Sequence, residues 1–333
     1  MSADARAILE VENLVTLLGG EKRFLRVRRP PVRAVDGVSL ELREGEVLGI
    51  VGESGCGKST LGRTILGIQR EATGTIRLDG RVVTGVDPRA ARQGRRAVQY
   101  VHQDAAAALD PWWSIGRTLD EALVINGIGP RAERDRRIDR VLAAVGLEPT
   151  SKRRYPHELS GGQLRRVTLA RVLVLAPRIV LLDEPTSGLD LSVQATVLRL
   201  LRELRGELGL TYMFISHDLS VVRLMCDRVA IMYLGRIVET AETVTLFESP
   251  LHPYTKMLLA AAPRLATNQD LHAVAIHGEP PSPTAVPSGC ACRTRCPHAI
   301  DVCATTVPTL DVIAGGRRVA CHRWRELAPL ERV

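Results

Sequence analysis

The chain has 333 residues, of which 45% are hydrophobic and 25% charged, enough to bury one large domain with an appendage or two domains. Aromatic residues make up only 3%, which argues against a stacking surface for single-stranded nucleic acid. The net charge of +8 comes from scattered basic residues that suit solvated faces and loops. No apolar stretch reaches the roughly 20 residues that a membrane-spanning helix needs, and VLVLAPRIVLL at 172–182 is interrupted by Pro177 and Arg178.

The opening MSADARAILEVENL mixes charges into its first residues and has no apolar segment of the secretory-signal kind, so no signal is expected. In GEVLGIVGESGCGKSTLGRTILGI (45–68), VLGIV predicts a buried strand, and Leu61, Ile65, Leu66 and Ile68 predict a helix after it. GESGCGKST between them fits the pattern of a phosphate-binding P-loop. Gly52, Gly55 and Gly57 let successive amides turn toward phosphate oxygens, with Glu53, Ser54 and Cys56 as the residues between them. Cys56 is expected to be a small spacer. Lys58 is expected to reach the β and γ phosphates, Ser59 to ligate Mg²⁺, and Thr60 to belong to the same loop end.

Residues 105–154 contain LDEALVINGI and RRIDRVLAAVGL, whose apolar spacing predicts helices. Next comes ELSGGQLRRVTLARVLVLAP (158–177), where Ser160 is a candidate helix N-cap. Gly161 and Gly162 there would allow a phosphate to approach a helix start closely, which few P-loop proteins offer twice. The strand in RIVLLDEP (178–185) ends in two carboxylates. Asp183 is expected to hold the Mg²⁺ shell and Glu184 to polarise the attacking water. SGLD (187–190) follows, and TYMFISHD (211–218) delivers His217, which can bridge the γ-phosphate and that water.

Five of the seven cysteines lie in PSGCACRTRCPHAIDVC (287–303) and RRVACHRW (317–324), among prolines and glycines that predict loops. The spacing of Cys290, Cys296, Cys303 and Cys321 leaves both Zn²⁺ and an iron–sulfur cluster open, and Cys292 is the spare thiol, which could take the place of Cys290. His298 and His322 are candidates to support the ligands, with direct ligation as the alternative, and Cys226 is expected to be a buried small hydrophobe.

Taken together, GESGCGKST, HQD with Gln103, LSGGQ, LLDEP, SGLD and SHD, in this order over about residues 8–250, resemble the ATP-binding subunit of an ABC transporter. The resemblance implies an α/β fold: a RecA-like P-loop core from residues 1–100 and about 155–249, antiparallel β and helical subdomains, and a helical part at about 105–154. It implies ATP and Mg²⁺ as ligands. Ser59, Gln103 and Asp183 would lie around the metal, Glu184 and His217 would act in hydrolysis, and an aromatic residue, with Phe24 as candidate, would stack on adenine. Ser160, Gly161, Gly162 and Gln163 would serve the nucleotide of a second ATPase subunit, identical or related. His102 and LSGGQLRRV depart from the commoner pattern without touching a phosphate contact.

LFESPLHPYTKMLLAAAPR (246–264) further resembles the HPY segment of the oligopeptide, dipeptide and nickel importers, dividing the chain into 1–249 and a 250–333 extension. That branch implies two permease subunits, an external substrate-binding protein, and a place on the cytoplasmic face of the membrane, with no nucleic acid. Trp112 and Trp113 would either line the groove for a permease helix or pack within the helical subdomain. For Cys290, Cys296, Cys303 and Cys321 the branch implies a loop-crosslinking [4Fe–4S] cluster, with Zn²⁺ as the alternative. Peptides are the expected cargo. Nickel chelates and haem-like cargo are the alternatives, ahead of a soluble ATPase that transports nothing.

Overall fold

A computed structural model describes residues 6–19, 31–101, 109–261 and 278–327. The chain forms two compact units, residues 1–95 with 214–333 and residues 96–213. The α/β class expected from the sequence is observed.

The first unit opens with β1 (Ala7–Leu18) and β2 (Val32–Arg43). In β2, Val38, Leu40 and Leu42 alternate inward with polar neighbours outward, as a sheet with one buried face requires. β3 (Val47–Val51) is buried at every position, and α1 (Lys58–Ile65) follows the glycine-rich loop. β4 (Thr73–Leu78) and β5 (Arg81–Val82) complete an antiparallel sheet of order β2-β1-β4-β5. Then α2 (Pro88–Gly94) begins at Asp87, whose carboxylate accepts from the amides of Arg89 and Ala90.

The second unit contains β6 (Val98–Val101), α3 (Ile115–Ile125), α4 (Arg131–Ala144), α5 (Gly161–Leu173), β7 (Ile179–Asp183) and α6 (Leu191–Leu208). Ile115, Leu119 and Leu123 bury one stripe of α3, and Ile138, Val141 and Leu142 one stripe of α4. These are the helices expected between 105 and 154. β6 and β7 pair in parallel from Val98 opposite Ile179 to Val101 opposite Leu182. Asp190 caps α6, and Gly209 ends it at φ 62°.

The chain returns to the first unit through β8 (Thr211–Ser216). There follow α7 (Leu219–Met225), β9 (Arg228–Tyr233), β10 (Arg236–Glu242), α8 (Thr243–Glu248) and α9 (Pro253–Ala261). Cys226 is buried after α7, as a small apolar residue should be. The C-terminal segment is mostly turns around α10 (Val302–Thr305), β11 (Asp311–Val312), β12 (Arg318–Val319) and α11 (Trp324–Leu327).

β9 runs parallel to β3, and β10 pairs antiparallel with β9. The β11–β12 hairpin then joins β10, with Glu239 opposite Val319. The loop-rich tail thus covers the edge of β10 rather than hanging free of it. Among the described residues no helix is long and apolar enough to cross a membrane.

Candidate functional site

In the first unit the glycine-rich loop leaves the C-terminal end of β3. A Cβ at Gly52 would stand 2.1 Å from the Met232 carbonyl oxygen, and one at Gly57, where φ is 108°, would stand 2.0 Å from that of Ala34. Only glycine fits either place. Ser54 and Gly55 are exposed, Ser59 and Thr60 half-buried, and Cys56 is buried beneath the loop, where burial raises its thiol pKa. Lys58 is buried at the start of α1, and its Nζ donates to the carbonyls of Gly52 at 2.7 Å and Glu53 at 3.0 Å. The lysine therefore folds along the inside of the loop, where a phosphate would exchange with these carbonyls for its charge. His217 follows the buried β8 and is exposed.

Glu53 has contacts that the sequence did not suggest. Its amide donates to Tyr254 Oη at 3.1 Å, and its carboxylate accepts from Arg295 Nη1 at 2.8 Å and Nη2 at 2.9 Å. The Arg295 side chain is only 3% exposed, and the Glu53 hydrogen bonds raise its pKa. The Tyr254 ring lies 4.5 Å from that of Tyr233, and the Arg295 guanidinium lies 5.9 Å from the Tyr233 ring.

The HPY segment supplies Tyr254 and is itself tied down by buried polar groups. Glu239 on β10, fully buried, accepts from the amides of Leu251 and His252, both at 2.9 Å, and pairs with Arg317 at 3.3 Å. His252, 2% exposed, accepts the Tyr254 amide at Nδ1, which leaves the ring proton on Nε2 to donate to the Ala320 carbonyl. Burial lowers its pKa to about 4, against the opposing pull of that carbonyl.

Next to Ala320 comes the cysteine group. Cys290, Cys296, Cys303 and Cys321 are half-buried. Burial raises the thiol pKa of Cys290, Cys296 and Cys321, the last to about 11, and the charges of Cys290, Cys296 and Cys303 add to the shift at Cys321. The four lie within electrostatic reach of one another. Even so, among the described residues no three His, Cys, Asp or Glu side chains stand at the spacing of a formed metal site.

Cys292 lies deeper, is fully buried, and has its pKa pushed far up by that burial. The Cys290 amide donates to the Cys303 carbonyl at 2.8 Å, and a Cβ at Gly289, where φ is 62°, would fall 2.4 Å from that same oxygen. His322 bonds the Thr306 carbonyl through its ring, and the His298 carbonyl accepts from Arg323.

In the second unit, Ser160 caps α5. Its Oγ accepts from the Gln163 amide at 3.3 Å, and the Gln163 Oε1 accepts from the Ser160 amide at 3.0 Å, a reciprocal box. A Cβ on Gly161 or Gly162 would meet nothing within 4 Å. Nothing inside the fold demands glycine there, so these positions leave room for something from outside. Ser160, Gly162 and Gln163 also border a cavity of about 340 Å³ shared with Ser192 and Thr196 of α6.

Asp183 ends β7, is buried, and accepts from the Tyr100 hydroxyl on β6. Glu184 follows with φ at 49°, a left-handed backbone rare outside glycine and frequent at working sites. Arg165 of α5 donates to the Pro185 carbonyl, which ties the capped helix to the segment after the two carboxylates. Trp112 is 85% exposed, whereas Trp113 lies under the Arg117 guanidinium at 4.0 Å, so packing within the unit accounts for Trp113 and not for Trp112. Phe24, His102 and Gln103 lie outside the described residues.

Residues 35–187 match the ABC transporter family model, and residues 238–303 match that of the oligopeptide/dipeptide transporter C-terminal region. The chain is 45% identical over 291 residues to the di/tripeptide transport ATP-binding protein DppF of Pseudomonas aeruginosa, covering 87% of this chain and 90% of that one. It is 41% identical over 326 residues to the oligopeptide transport ATP-binding protein AppF of Bacillus subtilis, covering 97% and 99%. Among solved structures, a dimeric ATP-binding cassette in a post-hydrolysis state with ADP and Pi matches at a TM-score of 0.61 and 27% identity, over 71% of this chain and 98% of that one.

Proposed function

Since the chain belongs to the ATP-binding proteins of the ABC transporters, and hydrolyses ATP as they do, we propose that it drives import of peptides through a membrane permease. The observation that carries this reading is the joint presence of the glycine-enforced loop around Lys58 and the capped, uncrowded helix start at Ser160. One binds the phosphates of this chain's ATP, and the other faces the ATP of a companion ATPase subunit, identical or related.

The residues divide the work as follows. Lys58 and the loop amides from Gly52 to Thr60 bind and orient the phosphates. The oxygen donors Ser59 and Asp183, with Gln103, fit the hard, oxygen-seeking Mg²⁺, which would offset phosphate charge when bound. Glu184 takes the proton of the attacking water, and His217 holds that water against the γ-phosphate. The bond to Tyr100 keeps the Asp183 carboxylate facing one way.

The extension after residue 249 would hold a [4Fe–4S] cluster through Cys290, Cys296, Cys303 and Cys321, with Zn²⁺ as the alternative. The all-sulfur donor set suits either. The cluster would supply a crosslink for a segment with little apolar surface of its own. The exposed Trp112 would meet a permease helix, which keeps the chain on the inner face of the membrane.

The test is uptake of a labelled peptide by vesicles holding the permease, this chain and its companion ATPase. ATP-dependent uptake that fails with Glu184→Gln is the expected result. Uptake of a nickel chelate or haem in place of any peptide would overturn the cargo assignment.

A further inference from the structure

Glu53 is gripped on both sides by parts of the chain more than 200 residues away in sequence. Tyr254 accepts its amide, and Arg295 forks onto its carboxylate. The Glu53 carbonyl in turn accepts from the Cys56 amide at 3.3 Å and from Lys58 Nζ at 3.0 Å. The residue fixed by the tail is therefore the one that braces both the turn of the loop and its lysine. Both terminal nitrogens of Arg295 go to the Glu53 carboxylate, and its other neighbour is Tyr233, whose ring lies 5.9 Å from the guanidinium. Its backbone amide bonds the Cys292 carbonyl at 3.0 Å, so the turn between two cysteines aims the guanidinium.

We propose that Arg295 is a positioning residue for nucleotide binding. Through Glu53 it holds the shape and charge of the phosphate-binding loop, so that the cysteine-rich segment sets the affinity of this chain for ATP. The inference rests on the loop binding nucleotide, as argued above, and not on which metal the cysteines hold.

Two effects point the same way. A loop that binds phosphate by aimed amides loses affinity when a brace of its backbone is released. Glu53 also carries a negative charge in a loop that must receive a polyanion. An uncompensated charge about 10 Å away at an effective dielectric near 20 weakens binding roughly tenfold. The forked arginine cancels that charge, and lysine would cancel it without fixing the geometry.

The full-length chain, titrated with a fluorescent ATP analogue and assayed for ATPase activity in the assembled transporter, provides the test. Arg295→Met should weaken binding about fivefold to tenfold and raise KM while keeping kcat at saturating ATP. Arg295→Lys should fall between. Arg293→Ala, which removes a guanidinium bonded to Ser288 inside the tail, should bind as the wild type does. In a Glu53→Gln background, Arg295→Met should add nothing.

A folded Arg295→Met protein that binds within twofold of wild type would overturn the proposal. So would an equal loss with Glu53 already replaced. Should Arg295→Met fail to fold, the Lys variant in the two backgrounds decides on the same terms. A wild-type chain that binds no nucleotide would instead sink the loop reading on which the inference rests.

Discussion

His252 offers a quantitative check on how the HPY segment ties the tail to the nucleotide-binding unit. The ring is buried and neutral, with Nδ1 taken by the Tyr254 amide and Nε2 by Ala320. The His252 amide bonds the Glu239 carboxylate, which is paired with Arg317. Folding lowers the histidine pKa from 6.5 to about 4. Above pH 6.5 neither state binds the proton, and the full stability is present. As pH falls from 6.5 toward 4, the unfolded chain takes up a proton that the folded chain refuses, and stability drops. The drop is about 1.4 kcal/mol per pH unit, or about 2 kcal/mol at pH 5 and about 3 kcal/mol at pH 4.

His252→Asn keeps an acceptor for the Tyr254 amide and removes the titration. At pH 7.5 it should be less stable by about 1 kcal/mol, the worth of the lost bond to Ala320. At pH 5 the order should reverse, because only the wild type has paid the proton penalty. The assay is denaturant unfolding of both proteins at pH 7.5, 6 and 5. A stability difference that does not change over that range would refute the buried, neutral histidine.

Lys58→Ala should abolish binding of the ATP analogue while leaving the thermal midpoint within a few degrees of wild type, since the lysine's own partners are carbonyls of the loop. Cys290→Ser, Cys296→Ser, Cys303→Ser and Cys321→Ser should each remove absorption near 400 nm from anaerobically purified protein, whereas Cys292→Ser should keep it. Absent absorption in the wild type, with zinc found by elemental analysis, would replace iron–sulfur with zinc. Ser160→Ala should cost about 1 kcal/mol of stability through the lost cap and lower the ATPase activity of the assembled pair more than that of the chain alone. Equal losses in the two settings would argue against a role toward a companion subunit.

Much of the candidate site is legible in the sequence, because its parts are local. A buried pentapeptide followed by glycine, a lysine at the first turn of a helix, and Ser160 three residues before Gln163 each reveal themselves within a dozen residues. The buried all-apolar run into Asp183 is likewise a strand by its own composition. The links made by the tail are of another kind. Arg295 and Glu53 are 242 residues apart, and no periodicity connects a loop arginine beside a cysteine to a carboxylate in a glycine-rich turn.

The β11–β12 hairpin is two residues per strand, too short for an alternation to register. The HPY motif marked the branch of the family, but its mechanical meaning, a histidine and a tyrosine joining the cysteine segment to the phosphate loop, needed coordinates. The two tryptophans are indistinguishable in sequence, and Arg117 in the first turn of α3 settles which of them is covered. The compact units divide the chain after Arg95 and after Met213, and the segment after residue 250 pairs with β10 of the first unit.

The central claim is that ATP is clamped between the lysine loop of one subunit and the serine-capped helix of another. Light scattering of the Glu184→Gln chain with its companion ATPase, with and without MgATP, tests it most directly. The account requires a nucleotide-dependent pair with two ATP molecules retained, weakened by Ser160→Arg in this chain. A mass that stays that of single subunits at saturating MgATP would contradict it.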